Sequence, residues 1–247
     1  MHILSMNPIL IAAAVIPAVL LLVKVYKADR LEKEPITLLI SLVIWGILST
    51  LIAIALEMIG TMVLDFLFVP DSRIYNILMY FVVVGLSEEW AKYVLMKYRT
   101  WKNPNFNCQF DGVVYAVFVS LGFALWENLS YVGRYGVSIA IVRAITAVPG
   151  HACFGVFMGV FYGAAKRWEN VGCKDKAKFC LSLSLLVPAL IHGLYDFIAT
   201  IGTNYSTLLF IAMVALMFFI ALRLVRLSAA ADSYIDASRA DIFFRRY

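Results

Sequence analysis

An all-α, polytopic transmembrane helical bundle is the fold class that this sequence predicts, and two observations carry the expectation. Of the 247 residues 63% are hydrophobic and only 15% charged, and the apolar runs repeatedly reach the roughly 20 residues that a spanning helix needs. Backbone at membrane depth must satisfy its own hydrogen bonds, which leaves helices or a closed barrel, and these runs lack the period-two alternation of barrel strands. The formal net charge of +5 does not point to nucleic acid. The basic residues sit in short segments beside apolar runs, where they act as topology determinants. Cys108, Cys153, Cys173 and Cys180 show neither CxxC spacing nor a paired framework, so they read as small core or loop residues.

In chain order, hydropathy places about seven spans, near 6–25, 36–58, 75–98, 112–132, 138–165, 179–201 and 207–226. The fifth is long enough to be tilted or broken, and Pro149-Gly150 is the expected break. No Lys or Arg precedes the first span, whereas Lys24, Lys27, Arg30 and Lys33 follow it. That is the flank pattern of a retained anchor with its N-terminus outside, not of a cleaved signal peptide. Alternation from there gives an N-out, C-in chain. It places on the inner side every one of the 21 basic residues except Arg73, Arg134, Arg143 and the membrane-embedded Lys92. The domain reading is a single transmembrane unit over residues 1–227 and a mixed polar and aromatic cytoplasmic tail over 228–247. The chain has no internal repeat.

An ionisable residue near the bilayer centre costs about 2.5–3.5 kcal/mol on insertion scales, so each one inside a span is a functional hypothesis. The third span carries Glu88, Glu89 and Lys92; the fourth Glu127 and Asn128; the fifth Arg143 and His151; the sixth His192 and Asp196. Glu88 and Lys92 stand at i, i+4 and share a helix face, while Glu89 lies about 100° around the helix. His192 and Asp196 repeat the spacing, with the carboxylate placed to orient the imidazole. His151 follows Pro149-Gly150, where a kink would open space. Residue counting puts Glu88 in the inner half of its span and Glu127 near the outer end of its own, at an entrance. Glu57, Asp65 and Asp71 fall at a span end or in the outer loop and are read as outside the chemistry. The aromatics Phe118, Phe123, Trp126, Phe154, Phe157, Phe161 and Tyr162 are read as packing, and Gly155, Gly159 and Gly163 as small residues that let helices approach.

Two carboxylates and two histidines in one cavity form a hydrolytic kit. A carboxylate can take a proton from water and return it to a leaving amine while a second donor holds the oxyanion. The same Glu88, Glu89, His151 and His192 could instead hold a divalent metal such as zinc, with an open position for water. A non-enzymatic membrane scaffold and a proton-coupled transporter with Glu88, Glu127 and His151 as relay groups are the alternatives from other classes. The transporter would more often show a repeat.

The HExxH, GxSG and GxGD signatures of well-known intramembrane protease classes are absent. The motifs present are Asp29-Arg30-Leu31-Glu32-Lys33-Glu34-Pro35, Glu88-Glu89-Trp90-Ala91-Lys92 (EExxK) and Phe110-Asp111-Gly112. They continue with Phe123-Ala124-Leu125-Trp126-Glu127-Asn128, Arg143 before Pro149-Gly150-His151, and His192-Gly193-Leu194-Tyr195-Asp196 (HxxxD). In this order the set resembles the PrsW family of membrane proteases, within a wider group that includes CAAX prenyl endopeptidases and bacteriocin-immunity proteins. The resemblance implies a multi-pass bacterial cell-membrane endopeptidase that cuts a single-pass membrane protein, typically an anti-sigma factor in envelope stress. It places Glu88 and Glu89 on the catalytic motif, Glu127 on the second motif, and His151 and His192 on the histidine positions, with Asp196 supporting His192; Glu127, Lys92, Asn128 and Arg143 are read as supporting residues. Where the CAAX enzymes have FxxxH, Glu127 stands at the last position here.

Overall fold

The computed structural model describes residues 8–235. His2, Arg239, Arg245, Arg246 and the tail after Ile235 lie outside the described residues. Among the described residues, nine α-helices and one π-helical segment form a bundle: α1 (Pro8–Ala28), α2 (Ile36–Leu67), α3 (Arg73–Leu78), the π segment Met79–Leu86, α4 (Ser87–Thr100), α5 (Asp111–Tyr135), α6 (Val137–Ile145), α7 (Ala147–Asn170), α8 (Lys174–Thr200) and α9 (Asn204–Ala230). The described residues contain no β-strand beyond an isolated Cys108–Tyr234 bridge. The expected all-α membrane bundle is what the chain forms.

Among the described residues, six helical stretches are long and apolar enough to cross a membrane: residues 8–28, 36–67, 111–135, 138–170, 174–200 and 204–230. The expected third span is helical from Arg73 to Thr100 but is divided between α3, the π segment and α4. The second runs past its expected end near 58 to Leu67, because residues 59–67 contain no proline and only one charge, Asp65. The break in the fifth falls at Thr146 (φ −119°, ψ −73°) and not at Pro149-Gly150. Pro149 instead occupies the first turn of α7, where a missing N–H breaks no helix bond.

Helix α5 is the hub, with most of its residues buried. Its closest neighbour is α7, and the small residues expected to permit approach do so: a Cβ on Gly155 would lie 2.9 Å from Val117 Cα, and one on Gly159 or Gly163 would overlap the backbone of Val113 or Gln109. Gly46 of α2 and Gly122 of α5 allow the same intimacy on the other side. The two ends of the bundle differ. At one end lie the starts of α2, α5 and α8 and the ends of α4 and α7, tied by Asn107 Nδ2 donating to Glu32 (3.3 Å), Lys166 to Trp101 O (2.8 Å) and Arg167 to Gln109 (3.2 Å). This end carries all the described basic residues except Arg73, Lys92, Arg134 and Arg143. Helix α9 also ends here, and Ile235 N–H donates to Asn107 O (2.7 Å) while Gln109 N–H donates to Ser233 O (3.2 Å). Residues 228–235 are thus the last turn of α9 and a segment docked against the start of α5.

Candidate active site

The π segment leads directly into Ser87, Glu88 and Glu89. π-helical turns are uncommon and concentrate at functional sites. Here the segment brings Gly85 against α8, where an added Cβ would lie 2.8 Å from Gly193 N and 2.9 Å from Ala189 O. That close approach sets α4 and α8 side by side, so the glutamates of one meet the histidine of the other.

Lys92 is the centre of the cluster. Its ammonium, fully buried, donates to Glu88 Oε2 (3.1 Å) and Glu89 Oε1 (2.7 Å) and meets His151 Nδ1 at 3.1 Å. It sits 4.0 Å above the centre of the Phe123 ring. An ammonium has only donors, so His151 Nδ1 accepts and Nε2–H donates to Glu127 Oε2 at 2.8 Å. Glu127 also pairs with Arg143 Nη2 (2.9 Å). His192 places Nδ1 3.0 Å from Glu89 Oε1 and Nε2 3.3 Å from Asp196 Oδ2 and 3.9 Å from Glu88 Oε2. The two imidazoles meet edge to face at 5.4 Å, and Phe154 stacks on His192 at 4.6 Å.

A cavity of about 730 Å³ opens onto this cluster. Glu88, Glu127, Arg143, His151, His192 and Asp196 line it; Glu89 and Lys92 do not. Arg134 and Tyr135 at the end of α5 and Ala199 and Thr200 at the end of α8 also line it, so the cavity reaches the end of the bundle opposite the one where most of the described basic residues lie.

All nine residues singled out in the sequence therefore fall in or against one cluster. Asn128 faces away from the cavity: its Nδ2 donates to Ala14 O (2.8 Å) and its Oδ1 accepts from Arg143 Nε (3.1 Å), which fixes the arginine against Glu127. Glu127 is not confined to an entrance, because His151 joins it to Lys92. Counted along the helices, Glu88 lies about 18 Å from Thr100 and Glu127 about 24 Å from Asp111, a difference that two side chains span. Sequence reasoning missed Phe123 and Phe154, which floor and wall the site, and Glu57, which lines the cavity. The aromatics gave no signal that separates a site wall from packing. For Glu57 the signal was present, a carboxylate inside an apolar run, but the span was drawn to end beside it.

Glu88, Glu89 and His151 offer ligand atoms all within 4.8 Å of one another, the one such group among the described residues. In kind, this donor set suits a divalent ion. In place it meets a competitor, because Lys92 Nζ stands within 3.1 Å of one atom of each of the same three side chains. A metal on these residues would lie beside the Lys92 ammonium, which already takes one acceptor atom from each of them.

Paired carboxylates and imidazoles at the floor of a membrane-embedded cavity define the class of intramembrane hydrolases. The family model described as "PrsW family intramembrane metalloprotease" matches residues 34–223. Among curated relatives, Protease PrsW of Oceanobacillus iheyensis is 33% identical over 92% of this chain and 98% of its own. Protease PrsW of Halalkalibacterium halodurans is 31% identical over 90% and 98%, and that of Bacillus subtilis 33% over 85% and 91%. No solved structure matches the chain. The chain belongs to the PrsW family and is an intramembrane protease, a multi-pass bacterial membrane protein.

Proposed function

We propose that the enzyme hydrolyses a peptide bond of a single-pass membrane protein with water activated by Glu88. One observation carries this reading: of the two adjacent glutamates, only Glu88 reaches the cavity. Glu89 is fully buried and held between Lys92 and His192, which makes it a positioning residue. Among the described residues only Oε2 of Glu88 takes a hydrogen bond, from Lys92, so Oε1 is available to a water. Glu88 removes a proton from that water as the hydroxide oxygen bonds to the scissile carbonyl carbon. The carbonyl oxygen becomes an oxyanion, and His192 Nε2–H is the donor assigned to it: Glu89 holds Nδ1, while Nε2 lies 3.3 Å from Asp196 without a hydrogen bond to it. The C–N bond then breaks and Glu88 returns its proton to the leaving nitrogen. Both His151 nitrogens are engaged, so His151 with Glu127 and Arg143 holds Lys92 and does not share the water. Lys92 supplies beside Glu88 the positive charge that a metal would otherwise bring.

The basic end lies in the cytoplasm by the positive-inside rule, with the chain N-out, C-in and Arg73–Thr100 as a seventh span. The cavity then opens outward and the cut falls in the outer half of the membrane. An anti-sigma factor is the substrate that the motif set implies. Kinship with the CAAX endopeptidases is of the same standing, with Glu127 as the point of difference. The test is mass spectrometry of products from reconstituted wild type, Glu88→Gln and Glu89→Gln with single-pass substrates, with and without a chelator. Defined fragments from wild type, none from Glu88→Gln, and indifference to chelation are expected. Full cleavage by Glu88→Gln removes the assigned base. Loss on chelation that an added divalent ion reverses removes the role given to Lys92.

A further inference from the structure

Glu57 is the acidic residue of the cavity wall that the mechanism leaves without work. Its depth follows from packing. Ala53 of α2, Ala91 of α4 and Phe123 of α5 meet in one buried cluster. Helices α2 and α5 start at the same end of the bundle and α4 ends there, so residue numbers rise in the same direction along α2 and α5 and fall along α4. Glu57 stands four residues after Ala53, Glu127 four after Phe123, and Glu88 three before Ala91. All three carboxylates therefore lie about one helical turn to the cavity side of the same layer. Glu57 is at the level of the chemistry, one wall across from it.

At that level each of the other cavity carboxylates has a cationic or imidazole partner. Glu88 has Lys92, Glu127 has Arg143 and His151, and Asp196 has His192. Glu57 makes no hydrogen bond or ion pair with any described residue, and the charged groups that bear on it are Glu127, Lys92, His192 and Asp196 across the cavity. Thr50, Ala53, Ile54 and Glu57 line the cavity at i, i+3, i+4 and i+7, one continuous stripe of α2. A carboxylate at membrane depth is costly unless paired, and the open side of this one is the space a substrate fills.

We propose that Glu57 is a specificity residue that binds a lysine or arginine side chain of the substrate close to the scissile bond. This rests on the cavity being the substrate site of the protease. An arriving ammonium or guanidinium gives Glu57 the partner it lacks, whereas an acidic side chain there would face Glu57, Glu127 and Asp196 together.

The experiment uses the reconstituted full chain and a set of single-pass substrates, identical except for Lys, Arg, Gln or Glu placed singly at each position flanking the mapped cut. At one position, wild type prefers Lys or Arg over Gln by about tenfold in kcat/KM, the equivalent of one well-placed charge pair, with the difference in KM. In Glu57→Gln the Lys to Gln ratio falls to about one, and in Glu57→Lys the preference passes to the Glu substrate. Affinities of the Glu88→Gln protein for the same peptides, with and without Glu57→Gln, give the ratio independently of turnover. Failure of the base assignment, seen as cleavage by Glu88→Gln, is therefore distinct from failure here. A basic preference that survives Glu57→Gln overturns the proposal, as does the absence of any charge preference in wild-type binding. A Glu57→Gln defect that is equal on all substrates and lies in kcat overturns it too.

Discussion

At the residue scale the protein turns on Lys92, whose three ammonium hydrogens meet three acceptors, Glu88, Glu89 and His151. Glu89 has no exposure at all, and removing the charge opposite a buried carboxylate costs about 3–5 kcal/mol, far more than losing an exposed pair. Lys92→Met is therefore expected to unfold at a much lower temperature in detergent and to lose cleavage. The remedy is specific: Lys92→Met combined with Glu89→Gln removes the stranded charge and recovers part of the lost stability, a coupling that a double-mutant cycle measures. If Lys92→Met melts like wild type, the ammonium is not what neutralises the pair, and another cation in that place becomes the better account.

At the element scale the contact that makes the site is backbone against backbone, between the π segment and α8. An added methyl on Gly85 meets Gly193 N and Ala189 O, neither of which can rotate away, so Gly85→Ala has to push α8 outward with His192 and Asp196 on it. A misplacement of about 1 Å costs about 10²-fold in rate. The expected result is a large loss in kcat with a smaller loss in melting temperature, and equal losses in both would mean that the contact serves only folding. Some elements were legible in sequence and some were not, for the same physical reasons. Apolar run length marks membrane helices because bilayer thickness sets it, and Glu88, Glu127, His151 and His192 stood out because polar groups at that depth are rare. The helix break was misplaced because a proline in a first turn ends nothing. The π segment has no sequence signature, and Phe123 became a floor only when Lys92 was laid across it. Glu57 was set aside because a span edge drawn from hydropathy put it at the end of its helix, while α2 continues to Leu67.

At the scale of the whole molecule two properties belong to the bundle and not to any helix, its orientation and the acidity of its basic end. Cys173 is exposed on the short link before α8, whereas Cys108 and Cys153 are buried. With Cys180→Ser in place, an impermeant maleimide should leave Cys173 unmodified in intact cells and label it in inverted vesicles; labelling in intact cells would reverse the topology and put the cavity mouth in the cytoplasm. At the same end, Asp29 and Glu34 are buried in the link between α1 and α2. Burial pushes Asp29 up to about 6, against the opposing pull of Lys33 and with Asp232 and Glu32 adding to the rise. Burial also pushes Glu34 up to about 7, where Tyr115 and Asp111 of α5, together with Asp29 and Glu32, face it. Unfolded carboxyls titrate near 4, so between about pH 4 and 7 the folded chain binds more protons than the unfolded one, and stability falls as pH rises. The contribution is complete below about pH 4 and is lost as pH passes through 6 to 7. The melting temperature in detergent should thus decline from pH 5 to pH 8, and Glu34→Gln, which keeps the neutral form at every pH, should flatten that decline. A wild-type curve that rises over this interval, or a Glu34→Gln curve as steep as wild type, would place the titrating group elsewhere in the fold.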